Sequence, residues 1–267
     1  MIEITSINNP IIKEIQSLKT RKGRWAKRAY LIEGFKMIGE AIMENGSILK
    51  LIMNSEVYDS QEALQITSGM KSKADLVRVS NSLFKKLTGM DSPQGVIAIV
   101  KMKTLDIKEV AAEGRYIFLD GLQDPGNIGT IIRSADAFAF DGLIFGPGCV
   151  DPHNPKSVQA SMGSILRSVL HFSQDPASDL MELKSKGYSL VSTSMAGSVE
   201  LRNYEFTNKD IIVIGNEGSG VSKEISDLSD HMIAIPMSGR AESLNAGVAA
   251  SLIMYEASMK SRMSVEF

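Results

Sequence analysis

The C-terminal stretch Ile233–Ala257, IAIPMSGRAESLNAGVAASLIMYEA, predicts a strand, a turn and a helix in immediate succession. The apolar run Met232–Pro236 is typical of a buried strand, and the turn after it is polar and contains glycine. The alanine-rich segment 243–260 is expected to be helical. A turn between a strand and a helix N-terminus exposes backbone amides and carbonyls at a sheet edge, where α/β proteins bind nucleotide-like ligands.

Two upstream stretches have the same pattern. DPGNIGTIIRSADAF at 124–138 follows the apolar run Tyr116–Asp120, and IVIGNEGSGVS at 212–222 runs from a strand into a glycine-rich loop. In the first stretch the apolar positions form one helical stripe, and Asn127 is a candidate N-cap. Arg133 lies off this stripe, so burial in a core does not explain it.

The remaining apolar runs of the second half predict strands that alternate with helices. Strands are expected at 142–146, 189–193 and 211–215, and helices at 127–140, 155–168, 178–186 and 222–228. This alternation predicts a mostly parallel sheet covered on both faces. Strands and helices also alternate in the first hundred residues. We therefore expect an α/β protein of two domains, 1–103 and 104–267.

The net charge of −2 conceals an asymmetry between these two parts. Residues 1–103 hold 16 Lys and Arg against 10 acids, whereas residues 104–267 hold 13 against 21. The segment 19–28 has six basic residues, no acid and the only tryptophan. Cations neutralise phosphates and an indole stacks on unpaired bases, so this segment is expected to contact RNA. The candidates are Lys19, Arg21, Lys22, Arg24, Trp25, Lys27 and Arg28. The alternative is a solvated charged face with the tryptophan in the core.

The sequence lacks the residues that several other classes of protein require. The single cysteine, Cys149, rules out an internal disulfide and is expected to be buried and inert. No apolar run approaches the roughly 20 residues that span a bilayer, and the N-terminus lacks the layout of a signal peptide, so we expect a cytoplasmic protein without a membrane partner. The scattered histidines predict no metal site. The Gly215–Gly220 loop lacks a P-loop lysine, and taken alone it could be a structural turn.

Jointly, the three stretches resemble the SpoU (TrmH-like) class of RNA ribose 2′-O-methyltransferases of the SPOUT superfamily. The family's first motif, D-P-x-N-x-G-x-x-x-R, appears as Asp124–Arg133, and the second appears as Gly215–Gly220. The third appears as Ile235-Pro236-Met237 followed by Ser243-Leu244-Asn245. The resemblance covers about residues 114–260. Residues Leu31–Phe35 and Ser92–Val96 are similar to that family's RNA-binding domain, which resembles small ribosomal proteins.

The resemblance implies S-adenosylmethionine (AdoMet) as the methyl donor and no metal. Its implied contacts are Thr193, Gly215, Asn216, Ile235, Pro236, Met237 and Leu244. Backbone groups of the second and third motifs would bind the adenine, with Ile235 and Leu244 as apolar walls. The resemblance also implies a homodimer and a C-terminal trefoil knot, which pattern reasoning alone would not propose.

The resemblance also implies that Arg133 is the central catalytic residue, surrounded by Asn127, Glu217, Ser243 and Asn245. A ribose 2′-hydroxyl is a poor nucleophile, so it must be held about 3 Å from the methyl group while its developing charge is stabilised. Arg133 can be written as a general base. Because a guanidinium has a pKa above about 12, we favour a cation that lowers the pKa of the hydroxyl.

Two positions depart from the family pattern. Gly247 stands where relatives often carry alanine or a small hydroxyl residue, which costs up to about 1 kcal/mol of helix stability unless the glycine permits close packing. Gln159 stands where many relatives carry arginine, which leaves Lys156 as the candidate RNA contact in that segment.

The expected function is AdoMet-dependent methylation of a ribose 2′-hydroxyl in RNA. The ribosomal-protein-like front domain favours 23S ribosomal RNA over tRNA. Methylation of tRNA, a non-catalytic RNA-binding or ribosome-assembly factor, and base methylation by a knotted relative remain as alternatives. An intact Arg133 and three complete motifs argue against the non-catalytic factor.

Overall fold

The computed structural model describes residues 3–70, 74–194 and 199–263, with side chains to residue 260. The chain forms two compact units. Unit 1 is Met1–Met102 with Asp151–Arg167, and unit 2 is Lys103–Val150 with Ser168–Phe267. Among the described residues, no helix combines the length and apolar character that crossing a membrane requires.

Unit 1 contains a four-stranded sheet with helices on both faces. Its elements are α1 (Pro10–Leu18), α2 (Arg21–Lys27), β1 (Ala29–Glu33), α3 (Phe35–Met43), β2 (Ile48–Asn54), α4 (Gln61–Gly69), β3 (Asp75–Val79), α5 (Asn81–Leu87) and β4 (Val96–Lys101). The strand order is β1-β4-β2-β3, with β2 and β3 parallel and the other pairs antiparallel. Apolar residues of α1 and α5 share one core with one face of the sheet, while α3 and α4 pack against each other and α3 against β1 and β4.

Unit 1 also includes a segment from the middle of the chain. This segment holds α7 (Pro155–Ala160) and a short 3-10 turn (Ser164–Leu166). The predicted division at residue 103 placed the segment in the second domain. In the structure Asp151 pairs with Arg24 and Arg167 with Glu40, which ties the segment to unit 1. The predicted helix over 155–168 ends early because the backbone turns left-handed, with φ of 50° at Met162 and 93° at Gly163.

Unit 2 contains an eight-stranded sheet. Its elements are β5 (Leu105–Asp106), β6 (Tyr116–Asp120), α6 (Pro125–Ala137), β7 (Gly142–Phe145), β8 (Leu170–Phe172), α8 (Pro176–Ser185), β9 (Ser189–Thr193), β10 (Val199–Glu200), β11 (Asp210–Gly215), α9 (Lys223–Leu228), β12 (His231–Ala234) and α10 (Ala246–Met263). The order is β10-β12-β9-β11-β6-β7-β8-β5, and every described pairing is parallel. The predicted α/β class with a mostly parallel second sheet is confirmed.

The sheet of unit 2 is covered on both faces, which explains its apolar strands. β11 is buried along its whole length. Its Ile211 and Val213 pack with α8 and α9 in one core, while α10 contacts β11 and lies beside α6. A strand buried on both faces cannot alternate polar with apolar residues, and IIVI at 211–214 does not.

Four helices begin with the same two-residue signal, Asn or Asp followed by Pro. The pairs are Asn9-Pro10, Asp124-Pro125, Asn154-Pro155 and Asp175-Pro176. In each, the first side chain accepts a hydrogen bond from a backbone N–H of the first turn, and proline takes a position whose N–H has no helical partner. This chemistry fixes the start of α6, on which two of the predicted catalytic residues lie.

Candidate active site

The three motif loops of unit 2 all leave the sheet at one edge. The strands β12, β9, β11 and β6 are consecutive neighbours and parallel, so their carboxyl ends lie together. Thr193 ends β9, Gly215 ends β11 and Asp120 ends β6, while Ile235 follows β12. This is the edge at which open parallel sheets bind ligands.

The second motif forms a tight loop in which position 215 has room only for glycine. A Cβ on Gly215 would lie 2.5 Å from the carbonyl oxygen of Gly220 and closer still to the amide nitrogen of Val221. Asn216 and Gly220 exchange two backbone hydrogen bonds, each 2.9 Å long. The loop backbone therefore folds back directly over the end of β11.

The side chain of Asn216 holds this loop from both sides. Its Oδ1 accepts from the backbone N–H groups of Gly218 (2.9 Å) and Ser219 (3.2 Å). Its Nδ2 donates to the carbonyl of Gly121 at 2.8 Å, in the turn after β6. Asn216 thus joins the second motif to the beginning of the first.

Glu217 makes the second connection between these motifs. Its carboxylate accepts from Nδ2 of Asn127 (2.9 Å) and from the backbone N–H groups of Gln123 (3.3 Å) and Asp124 (3.2 Å). Partial burial raises the pKa of Glu217, but these hydrogen bonds outweigh burial and hold its pKa below the ordinary value. The ionised carboxylate lies at the N-terminus of α6, where the helix dipole also favours negative charge.

Arg133 lies on α6 but outside this hydrogen-bonded cluster. It is exposed, and it forms no hydrogen bond or ion pair with any other residue in the described part of the chain. The Ile131 and Ile132 side chains beside it are fully buried against the sheet. The guanidinium is therefore available to a ligand at the surface of unit 2.

The helices α6 and α10 run side by side in a regular register. Ser134 and Ser251 hydroxyls lie 2.7 Å apart, and one turn further on the rings of Phe138 and Tyr255 meet edge to face. One turn earlier, a Cβ on Gly247 would lie 3.2 Å from Cβ of Thr130. Since the contacts advance in the same direction on both helices, the helices are parallel and their N-termini lie at the same end. This contact explains why residue 247 departs from the family pattern, because a glycine there permits the close approach of α6 and α10.

The third motif precedes α10. The helix begins at Ala246, three residues later than predicted, and Oδ1 of Asn245 caps it by accepting from the N–H groups of Gly247 (2.9 Å) and Val248 (3.2 Å). Ser243 is exposed and Leu244 is half-buried. The strand β12 also ends early, at Ala234, because Pro236 cannot donate a ladder hydrogen bond.

The remaining predicted cofactor contacts lie along the same edge. Ile235 is half-buried, whereas Pro236 and Met237 are exposed. Thr193 donates its hydroxyl proton to the carbonyl of Val213 at 3.1 Å, which holds the ends of β9 and β11 together.

Sequence reasoning missed two acids that organise this edge. Asp120 accepts from the backbone N–H of Ser222 at 2.7 Å and fixes the exit of the Gly215 loop. Asp124, and not the predicted Asn127, caps α6 by accepting from the N–H of Asn127 at 2.8 Å. The Asp-Pro pair was a readable signal for the cap, but the partner of Asp120 is 102 residues away and has no local signal.

The basic segment of unit 1 divides into exposed and buried residues. Lys19, Arg21, Lys22, Lys27 and Arg28 are exposed. Trp25 is half-buried, with the Arg28 guanidinium 5.6 Å from its ring centre. The tryptophan is thus neither fully exposed nor part of the core.

Arg24 is a correction to the predicted RNA-contacting set. It is only 2% exposed, its Nη2 lies 2.7 Å from a carboxylate oxygen of Asp151, and its Nη1 donates to the carbonyls of Leu18 and Lys19. A guanidinium engaged in this way cannot reach a phosphate. The predicted contact Lys156, on α7 of the same unit, is exposed.

Two other predictions concern cysteine and metals. Cys149 is buried, its thiol donates to the carbonyl of Leu119, and burial raises the pKa of the thiol to about 11. The predicted buried, inert thiol agrees with this geometry. Among the described residues, no three His, Cys, Asp or Glu side chains cluster in a way that could hold a metal ion.

A parallel α/β sheet with three motif loops at its carboxyl edge, two of them joined by hydrogen bonds, is the architecture of proteins that bind nucleotide-like ligands. The chain belongs to the SpoU rRNA Methylase family, which its residues 114–255 match. Residues 9–98 match the MRM3-like substrate binding domain. The resemblance noted from the three motifs is confirmed.

Characterised relatives extend over nearly the whole chain. The chain is 29% identical over 255 residues to the 23S rRNA (guanosine(2553)-2′-O)-methyltransferase RlmP of Bacillus subtilis, covering 96% of this chain and 98% of that protein. It is 30% identical over 261 residues to the 23S rRNA (uridine(2479)-2′-O)-methyltransferase of Streptomyces viridochromogenes, covering 95% and 91%.

Solved structures are similar over the same extent. The SpoU methyltransferase AviRb from Streptomyces viridochromogenes, in complex with the cofactor AdoMet, matches with a TM-score of 0.87 at 28% identity, covering 96% of this chain and 99% of that one. An AdoMet-bound rRNA methyltransferase from Sinorhizobium meliloti matches with a TM-score of 0.86 at 28% identity, covering 96% and 97%.

Proposed function

We propose that this protein transfers a methyl group from AdoMet to a ribose 2′-hydroxyl of 23S ribosomal RNA. The observation that carries the proposal is the joined pair of loops, in which Glu217 and Asn216 of one motif hold the N-terminus of α6 and the turn after β6. This arrangement fixes the helix that bears an exposed, unengaged Arg133. Relatives over nearly the full chain are named for this reaction on 23S rRNA.

The carboxyl edge of the sheet has the chemistry that AdoMet requires. Gly215 lets the loop backbone approach closely, and the half-buried Ile235 and Leu244 offer apolar surface for an adenine. The residues proposed to hold the cofactor are Thr193, Gly215, Asn216, Ile235, Pro236, Met237 and Leu244. When bound, AdoMet supplies an electrophilic methyl group on a sulfonium, and the transfer releases S-adenosylhomocysteine and a proton.

The role of Arg133 in this proposal is electrostatic. Its charge would bind the phosphate beside the target ribose, or the 2′-hydroxyl itself, and would lower the pKa of that hydroxyl. Glu217, held ionised, and Asn127 fix α6 and therefore the position of Arg133. Ser243 and Asn245 would contact the reacting groups from the third motif, with Asn245 also fixing the start of α10.

Recognition of the RNA is assigned mainly to residues 1–103 and catalysis to residues 104–267. Residues 9–98 match a substrate-binding domain, and the exposed cations of the segment 19–28 offer charge for phosphates. The proposed contacts are Lys19, Arg21, Lys22, Trp25, Lys27, Arg28 and Lys156.

We further propose that the protein is a homodimer that assembles through α10. Four large apolar side chains on this helix are between 39% and 49% exposed: Val248, Leu252, Tyr255 and Met259. Their spacing of three or four residues places them on one stripe, which a second copy of the chain would cover.

The trefoil knot and the location in the cell complete the proposal. The knot would pass the C-terminal chain through a loop of unit 2, and the support is that Lys260, near the end of α10, donates to the carbonyls of Arg202 and Tyr204. A cytoplasmic location is proposed because that is where ribosomal RNA substrates lie.

The test is a methylation assay with tritiated AdoMet on 23S rRNA, on tRNA and on ribosomal particles, followed by mapping of 2′-O-methyl positions. We expect label on ribose in 23S rRNA. Arg133→Ala should reduce the rate by about a hundredfold or more, as loss of a charge-stabilising group does, while AdoMet affinity changes less than about twofold, since the residue lies outside the motif that would bind AdoMet. Label on a base, label on tRNA alone, or no label with any RNA would each refute the proposal.

A further inference from the structure

The two helical layers of unit 1 differ sharply in charge. The helices on one face, α1, α2 and α5, together carry seven Lys and Arg and a single acid. The helices α3 and α4 carry one lysine and two glutamates. A one-sided concentration of positive charge is the electrostatic footprint of a surface that binds a polyanion.

Ion pairing accentuates this difference. Two cations elsewhere in unit 1 have acidic partners: Lys50 lies 2.9 Å from Asp75, and Arg78 lies 3.7 Å from Glu3. On the α1, α2 and α5 face, the exposed cations that form no ion pair within the described residues include these five: Lys19, Arg21, Lys22, Lys85 and Lys86.

These five residues come from distant parts of the sequence but form one surface. Nζ of Lys19 donates to the backbone carbonyl of Lys86 at 3.3 Å, so the end of α5 lies against the start of the basic segment. The C-terminal end of α5 is anchored to the body of unit 1. Leu87 is fully buried, and Glu33 at the end of β1 accepts from the hydroxyl of Thr88 (2.7 Å), directly after α5.

We infer that Lys85 and Lys86 bind RNA phosphates and complete, with Lys19, Arg21 and Lys22, a phosphate-binding surface of unit 1. This inference rests on the proposed function for the identity of the polyanion as RNA. Lysine ammonium groups act as point charges that contact the RNA backbone without reading the bases. The surface would therefore anchor the RNA and leave the choice of nucleotide to other residues.

The test is the double variant Lys85→Gln/Lys86→Gln, which removes two charges and leaves the backbone carbonyl that Lys19 uses. Binding to a 23S rRNA fragment is measured by filter binding across a series of KCl concentrations. Each lost phosphate contact lowers the slope of log Kd against log [KCl] by about 1, so the pair should lower it by about 2. In methylation assays KM for RNA should rise about tenfold while kcat is unchanged, since only uniform binding is lost.

The matched control is Lys108→Gln/Lys186→Gln. It removes the same charge from two exposed lysines of unit 2, both of which lie beside Glu182 and lower its pKa. The control should keep the wild-type salt slope and KM. If it loses as much slope as the α5 variant, or if the α5 variant keeps the wild-type slope, the inference is overturned.

Binding and turnover separate this inference from the proposed function. If the wild-type protein methylates no RNA but the α5 variant loses salt slope, the surface is supported and the proposed activity fails. If polyglutamate displaces the RNA fragment as effectively as unlabelled rRNA does, the surface is not specific for nucleic acid and the inference is overturned. Circular dichroism and thermal melting confirm that each variant is folded.

Discussion

The substitution Gly215→Ala should weaken AdoMet binding and lower thermal stability, because it displaces the Gly215–Gly220 loop that is proposed to hold the cofactor. The added Cβ would lie 2.5 Å from the carbonyl oxygen of Gly220, against about 3.4 Å for an ordinary contact. The colliding atoms belong to the backbone, so no side-chain rotation relieves the overlap, and the loop must move by about 1 Å.

That movement breaks the two backbone hydrogen bonds between Asn216 and Gly220. At about 1 kcal/mol each, their loss costs about 2 kcal/mol. If AdoMet also loses contacts worth about 2 kcal/mol when the loop is displaced, its affinity falls about thirtyfold. A loss of 2 kcal/mol should also lower the melting temperature by about 4 to 8 °C.

Isothermal titration calorimetry with AdoMet and thermal melting without it measure the two effects. The control is Gly218→Ala in the same loop, where the added Cβ would meet only Oδ1 of Asn216 at 3.6 Å. The control should bind AdoMet within about twofold of wild type, because that distance is an ordinary contact. Wild-type affinity in Gly215→Ala, or an equal loss in both variants, would refute the reasoning.

Three further predictions concern the buried ion pair, the site carboxylate and the α10 stripe. Asp151→Ala leaves the buried Arg24 charge uncompensated and should destabilise unit 1 by about 3–5 kcal/mol in urea unfolding at pH 7. Burial raises the pKa of Asp151, but hydrogen bonding from His153 and the Arg24 charge outweigh burial and hold the pKa below 3.8. The stability difference between wild type and Asp151→Ala should therefore shrink only below pH 3.8. A difference that is already lost at pH 5 would contradict this. Wild type should lose AdoMet affinity as the pH falls below 4.5 toward the lowered pKa of Glu217, and Glu217→Gln should lack this pH-dependent part of the affinity. Titration of both proteins with AdoMet at pH 7 and pH 4 measures the difference. Identical pH dependence of the two proteins would count against the prediction. Leu252→Arg should halve the mass measured by light scattering to 29.0 kDa, and an unchanged mass would exclude α10 as the interface.

The sequence predicted the second sheet well because its strands are buried on both faces. The run Ser189–Thr193 has the predicted bounds, and 211–215 differs by one residue at its start. The strands β5, β8 and β10 were missed because two or three residues are too few to show a period. The helix α2 was missed because its composition suggests a solvated loop, yet Thr20 caps it by accepting from the N–H of Gly23.

The sequence predicted which loops form the site but not which hydrogen bonds and ion pairs join their residues. The motif pattern predicted Asn127 and Glu217 as residues of the same site. The structure joins them through a 2.9 Å hydrogen bond, although they lie 90 residues apart in the sequence. Arg24 was misassigned for the same reason. A basic run does not reveal which of its members meets a buried acid, and Asp151 lies 127 residues away. Local composition predicts the charge of a segment, whereas pairing depends on topology.

The assignment of Asp151–Arg167 to unit 1 has a consequence for how the chain folds as it is made. Unit 1 lacks the buried partner of Arg24 until residue 151 has emerged from the ribosome, and its last segment ends at Arg167. The 65 residues between Met102 and Arg167 take about 3 to 13 s to synthesise at typical rates of translation. During that interval β6, α6 and β7 are already available to the nascent chain. The N-terminal unit can therefore complete its buried Arg24–Asp151 pair only after β6, α6 and β7 have been synthesised.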